Sequence, residues 1–129
     1  MPLKIVLWLV AVSQFALGAL TLFVPIQFTS WMGLPPLSAA NGYLLAMLGA
    51  RFIGYGVGLV GLARQEVPDR FWVRIMVLIQ VLDFGAGAVY VATGLVPPAA
   101  AAFPMFNALL FAVLLWTLSR PAVPALRAV

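Results

Sequence analysis

The sequence predicts an all-α fold: an integral membrane four-helix bundle of antiparallel up-down topology, with a short interfacial segment between the first two helices. Three observations carry that expectation. Of 129 residues, 65% are hydrophobic and only 8% are charged, and the mean hydropathy is +1.14; so few charges cannot surface a soluble domain of this size. Apolar residues run continuously over membrane-spanning lengths in four places, without the strict alternation of a transmembrane barrel strand. The basic residues, finally, fall almost entirely on one side of the four runs. One transmembrane domain over residues 1–129 follows, with helices at about 5–24, 39–62, 71–93 and 99–118.

The first run, Ile5 to Val24, carries no charge and follows Lys4. It ends Thr21-Leu-Phe-Val-Pro25 without a small-x-small cleavage site, so it reads as an uncleaved helix that Pro25 closes. Residues 25–40 are uncharged. Phe28, Trp31 and Met32 share one face of a short helix, which Gly33 and Pro35-Pro36 stop. That segment is expected to lie on the bilayer with Trp31 at headgroup level. Ser38 is the expected N-cap of the second helix, whose Gly54-x-x-x-Gly58 fits small-residue packing in lipid.

Residues 64–70 are the only charge-dense loop, punctuated by Pro68. The third helix begins near Phe71, and Pro97-Pro98 initiates the fourth, in which Pro104 falls early enough to be tolerated. Ser119 to Val129 reads as a frayed tail. Alternating spans place Lys4, Arg64, Arg70, Arg74, Arg120 and Arg127 on one side and no basic residue on the other. By the positive-inside rule both termini are expected in the cytoplasm. Trp8, Trp31, Trp72 and Trp116 fall near the interfaces as belt residues.

Several function classes drop out. The chain has no cysteine and no histidine, which removes thiol chemistry, imidazole catalysis and histidine metal ligands. Three acidic residues, Glu66, Asp69 and Asp83, do not suggest a metal cage, so neither a metal nor a cofactor is expected. The charge of +4 fits topology and contact with anionic membrane lipids, and nucleic acid is not an expected partner.

The residue that does not fit its surroundings is Arg51, near the middle of the second span. The only acid within a span is Asp83. Arg51 precedes Arg64 by 13 residues and Asp83 follows Arg70 by 13, so each lies ~20 Å along its helix from the basic side. If the two helices pack antiparallel, the pair can meet and remove two desolvation penalties. Gln14, Tyr55, Gln80, Tyr90 and Asn107 could join Arg51 and Asp83 along one interior polar seam, a hypothetical ligand-binding set. No residue is assigned a catalytic role, since no nucleophile–base pair or phosphate loop is present.

Pro25-x-x-Phe28…Trp31-Met-Gly-Leu-Pro35 and Leu48-Gly-Ala-Arg51-Phe-Ile-Gly54, in a layout of four short helices, resemble the small bacterial DoxX-like membrane proteins, most of all their uncharacterised relatives. The resemblance spans roughly Val6 to Leu118. It implies a bacterial inner-membrane location and a role in quinone-linked oxidation or in a redox-partner complex. The lack of cysteine departs from thiol-linked variants of that role.

Two readings stay open, and enzyme activity is undecided between them. In the first, the chain is an accessory or assembly subunit, in a homo-oligomer or a larger membrane complex, and the Arg51–Asp83 pair is structural. In the second, the seam binds, carries or transforms a small amphipathic ligand such as a quinone, lipid or terpenoid. The topology is directly testable with Ser30→Cys, Gln65→Cys, Ala99→Cys and Ala125→Cys in intact cells. An impermeant thiol reagent should label the cysteines at positions 30 and 99 and spare those at 65 and 125; the reverse pattern overturns the orientation.

Overall fold

The computed structural model describes residues 1–120; Arg127 and most of the expected tail lie outside the described residues. The described chain is all-helical, in the order α1 (Pro2–Phe23), α2 (Pro25–Trp31), α3 (Ala39–Arg64), α4 (Arg70–Ala92) and α5 (Pro98–Leu118). Four of these, α1, α3, α4 and α5, are long and apolar enough to cross a membrane. They correspond to the four expected runs, with bounds shifted by up to three residues. The largest shift is at the start of α1, where Pro2 takes the first turn, the position at which a missing amide costs nothing.

Local chemistry sets each boundary. Between α1 and α2 the backbone of Val24 leaves helical geometry, at φ −135° and ψ 47°. Pro25 then opens α2, a helix of seven residues where a short interfacial segment was expected. Gly33, at φ +68°, ends it in the left-handed region, while the Leu34 amide donates back to the Thr29 carbonyl at 3.0 Å. Ser38 caps α3 as expected, its Oγ accepting from the Asn41 amide at 3.2 Å. The α3–α4 loop is tied twice. The Gln65 side chain accepts from the Asp69 amide at 2.9 Å, and Asp69 caps α4 by accepting from the Phe71 amide at 2.8 Å. Gly94, at φ +73°, closes α4, and Pro97-Pro98 starts α5.

Packing departs from the sequence expectation. The second and third long helices were expected to lie side by side because a short loop joins them. Instead α3 packs along α1 and α4 along α5, α1 and α5 also touch, and α3 and α4 do not pack along their lengths. A tight loop brings two helix ends together but does not choose which faces meet. Glycine chooses here. A Cβ on Gly18 would stand 2.7 Å from Ile53 Cγ1 and 3.1 Å from the Gly49 carbonyl oxygen. One on Gly49 would stand 2.6 Å from Thr21 Oγ1 and 3.1 Å from the Gly18 carbonyl. Gly56 lies against the Phe15 ring, 2.8 Å from where its Cβ would be. The α1–α3 backbones therefore approach as no side chain would permit. On the other pair, Gly87 accommodates Met105, whose Cγ would be 2.7 Å from an added Cβ.

All four long helices contribute to one apolar cluster, made by Val6, Leu7, Val10 and Ala11 of α1, Leu59, Leu62 and Ala63 of α3, Val73 of α4, and Phe111 and Leu115 of α5. It gathers the start of α1 and α4 with the end of α3 and α5, beneath the residues that carry Lys4, Arg64, Arg70, Arg74 and Arg120. Further from that basic end the chain is held by the α1–α3 and α4–α5 pairs. Burial of the spanning windows follows: 39% in α1 and 33% in α5, against 17% in α3 and 6% in α4. The two inner members, α1 and α5, form the spine, and α3 and α4 flank it.

Because the Gly49 site is closed by backbone on one side, Gly49→Leu should lower the melting temperature in detergent by the equivalent of ~1–3 kcal/mol. Gly85→Leu, at a position where nothing lies within 4 Å of an added Cβ, should leave it within roughly ±0.5 kcal/mol. Equal effects at the two sites would show that α1 and α3 are not in glycine-mediated contact.

Candidate functional site: two exposed charges and two buried amides

Arg51 stands at the middle of α3. At about 100° per residue it lies roughly 200° around the helix from Gly49 and 140° from Gly56, the glycines that face α1. It is accordingly turned away from α1 and is exposed. Asp83 stands near the middle of α4. It sits beside the face that meets α5, about 60° from Gln80 and 40° from Gly87 on the same helical estimate. It too is exposed. Among the described residues there is no salt bridge, so the expected intramembrane Arg51–Asp83 contact is not made within the chain. The physical reason is the pairing above: α3 spends its glycine face on α1, and this turns the arginine outward.

The seven residues expected in one seam fall into two groups. Gln14 and Gln80 are buried, at 7% and 4% exposure, and Asn107 is half-buried. Arg51, Tyr55, Asp83 and Tyr90 are exposed. Amides therefore lie inside, whereas charges and phenols lie outside. Gln14 occupies the α1 face that also carries Gly18 and Thr21, directed to the bundle interior. Its Oε1 is buried with no hydrogen-bond partner among the described residues, an unusual condition for a buried polar atom. Thr21, buried at 1% exposure, is satisfied on its own helix: its hydroxyl donates to the Leu17 carbonyl at 2.8 Å.

Two grooves open at the uncharged end. One, of about 230 Å³, is lined by apolar side chains of Met32 and Leu34 after α2, Val96, Ala100 and Pro104, together with Tyr90 of α4. The second, of about 390 Å³, lies under α2 between Ile26, Thr29, Leu34 and Leu37. Of the seven expected residues, Tyr90 alone lines either groove. Sequence reading did not anticipate Met32, Leu34 and Pro104 as neighbours of Tyr90, because they lie on three segments whose approach only tertiary packing sets. Among the described residues no three His, Cys, Asp or Glu side chains are placed to share a metal ion.

At the basic end the Arg120 guanidinium lies 5.4 Å from the centroid of the Trp116 ring, a cation–π contact suited to a headgroup layer. Trp8 and Trp72, near the start of α1 and α4, are also exposed there.

The orphaned Gln14 oxygen gives a discriminating substitution. An unpaired buried acceptor costs roughly 1–3 kcal/mol, and an apolar replacement of similar shape is neutral or stabilising. Gln14→Leu should therefore leave the melting temperature of the detergent-purified chain unchanged or raise it. A fall would show that Oε1 has a partner, either a bound water or a ligand. The chain matches no protein-family model, no curated protein and no solved structure.

Proposed function

We propose that the chain is a small polytopic subunit that joins a membrane assembly, docking in the bilayer plane through Arg51 and Asp83. One observation carries this reading: two opposite charges stand exposed near the middle of two apolar helices and have no ion-pair partner among the described residues. An arginine at the centre of a spanning helix costs roughly 2.5–3.5 kcal/mol on insertion scales, and such residues almost always pair or line a polar interior. An exposed charge at that depth is compensated most directly by a complementary charge on a neighbouring helix. The exposed aliphatic and aromatic side chains around them need no such partner, since lipid covers them.

In this reading the four long helices cross the bilayer alternately as an antiparallel, up-down bundle. Both termini are cytoplasmic, as the one-sided basic residues favour. The resemblance to DoxX-like proteins supports a bacterial inner membrane and a role as an accessory component of a larger complex.

A second reading draws on a different observation, the two buried glutamines and the apolar groove beside Tyr90. An amphipathic ligand, such as a quinone or lipid, would place its tail in the groove beside Tyr90. Native mass spectrometry from gentle detergent separates the two readings, since it reports protein stoichiometry and retained small molecules together.

The docking reading predicts opposite effects on the single chain and on its assembly. Arg51→Leu and Asp83→Leu remove a charge from the lipid-facing surface, so the isolated chain should melt at the same temperature or higher. Any assembly seen for the wild-type protein should fall at least tenfold. An assembly that survives loss of both charges would refute docking through them.

A further inference from the structure

Resting on the docking reading, we propose that the partner is a second copy of this chain, related by a twofold axis along the membrane normal, with Arg51 of each copy against Asp83 of the other.

Complementarity of charge and depth comes first. Each chain presents one exposed cation on α3 and one exposed anion on α4, 13 residues from Arg64 and from Arg70 respectively. Both are thus ~20 Å along their helices from the same end of the fold. A twofold axis along the normal preserves depth and makes an isologous contact, in which residue i meets j and j meets i. Such a contact requires the Arg51 and Asp83 faces of one chain to turn toward the same axis, and one operator then neutralises all four charges.

The surface around Arg51 is shaped for such an approach. Met47, Arg51, Gly54, Gly58 and Gly61 recur at alternating spacings of four and three and are all exposed, forming one continuous seam along α3. A Cβ at Gly54, Gly58 or Gly61 would meet nothing within 4 Å among the described residues. Gly18, Gly49, Gly56 and Gly87, in contrast, each have a neighbour that a Cβ would strike. The chain therefore uses one set of glycines for its own packing and leaves a second set, next to the arginine, open. In lipid a small-residue seam lets another helix backbone come close. On α4, Asp83, Ala86 and Tyr90 are exposed along one stripe, whose outer part, Ala86 and Tyr90, also lines the groove shared with Met32, Leu34 and α5. Since α3 and α4 do not pack along each other, neither stripe is covered by the other.

Charge reversal tests the pairing. Arg51→Asp and Asp83→Arg should each be monomeric in lipid nanodiscs or mild detergent, with at least a tenfold loss of the dimer the wild type forms. When differently tagged forms of the two are mixed, every contact becomes complementary, and a one-to-one heterodimer should appear by native mass spectrometry and by tag co-capture. Gly58→Leu keeps the test informative if a reversed variant fails to insert. It has room in the single chain, so melting and helicity of the monomer should be retained while the dimer falls at least tenfold. Persistence of the dimer in Gly58→Leu or in a single reversal overturns the inference, as does failure of the properly inserted mixture to associate. A purified wild type that is monomeric, yet joins a different protein in a charge-dependent way, overturns the second copy and leaves the docking reading standing.

Discussion

The close approach of α1 and α3 is the constraint from which the remaining geometry follows. Gly18 and Gly49 face each other so tightly that a Cβ on either would lie 3.1 Å from the other's carbonyl oxygen, and Gly56 receives the Phe15 ring. Lipid offers no hydrophobic force to bring two apolar helices together, so van der Waals contact along a narrow, small-residue seam decides which faces meet. Once Gly49 and Gly56 are committed to α1, helical geometry leaves Arg51 no route to the interior. The same pairing holds Gln14, Gly18 and Thr21 of α1 inside.

Stability and, in the docking we propose, recognition are consequently divided between the two sides of α3. The α1 side carries glycines whose conformational cost, near 1 kcal/mol each relative to alanine in a helix, is offset by packing. The opposite side carries Gly54, Gly58 and Gly61, where an added Cβ would meet nothing within 4 Å among the described residues. A helix that only had to face lipid would gain from larger residues there. The apolar cluster at the basic end, joined by all four long helices, lets the outer stretches of α3 and α4 remain uncovered without loss of the fold. The α4 helix, whose spanning window is only 6% buried, is kept in place by its packing along α5.

The polar groups sort by how they can be satisfied. Threonine hydroxyls return to carbonyls of their own helix, as Thr21 and Thr29 do, and so can be buried without a tertiary partner. Gln14 cannot do the same, and its Oε1 is left without a partner. Arg51 and Asp83 have no such local solution among the described residues. They stand on the outer faces, where, in the docking we propose, a neighbouring molecule compensates them.

Local interactions made much of this protein legible in its sequence. Uninterrupted apolar runs define the four spanning helices, because in lipid every backbone amide must be bonded within its own helix. Ser38, Gly33 and Pro97-Pro98 mark boundaries through interactions that reach only a few residues along the chain. The sequence also singled out Arg51 and Asp83, since a charge within an apolar run is visible without any coordinates. It could not say that they point outward, nor that Gln14 and Gln80 lie inside while Tyr55 and Tyr90 do not. A short loop and matching depth suggested that α3 and α4 would pair. Tertiary structure decided otherwise, because helix partners in a membrane are selected by the fit of whole faces. Gly49 against Gly18 is a fit between residues 31 positions apart, which neither hydropathy nor loop length records.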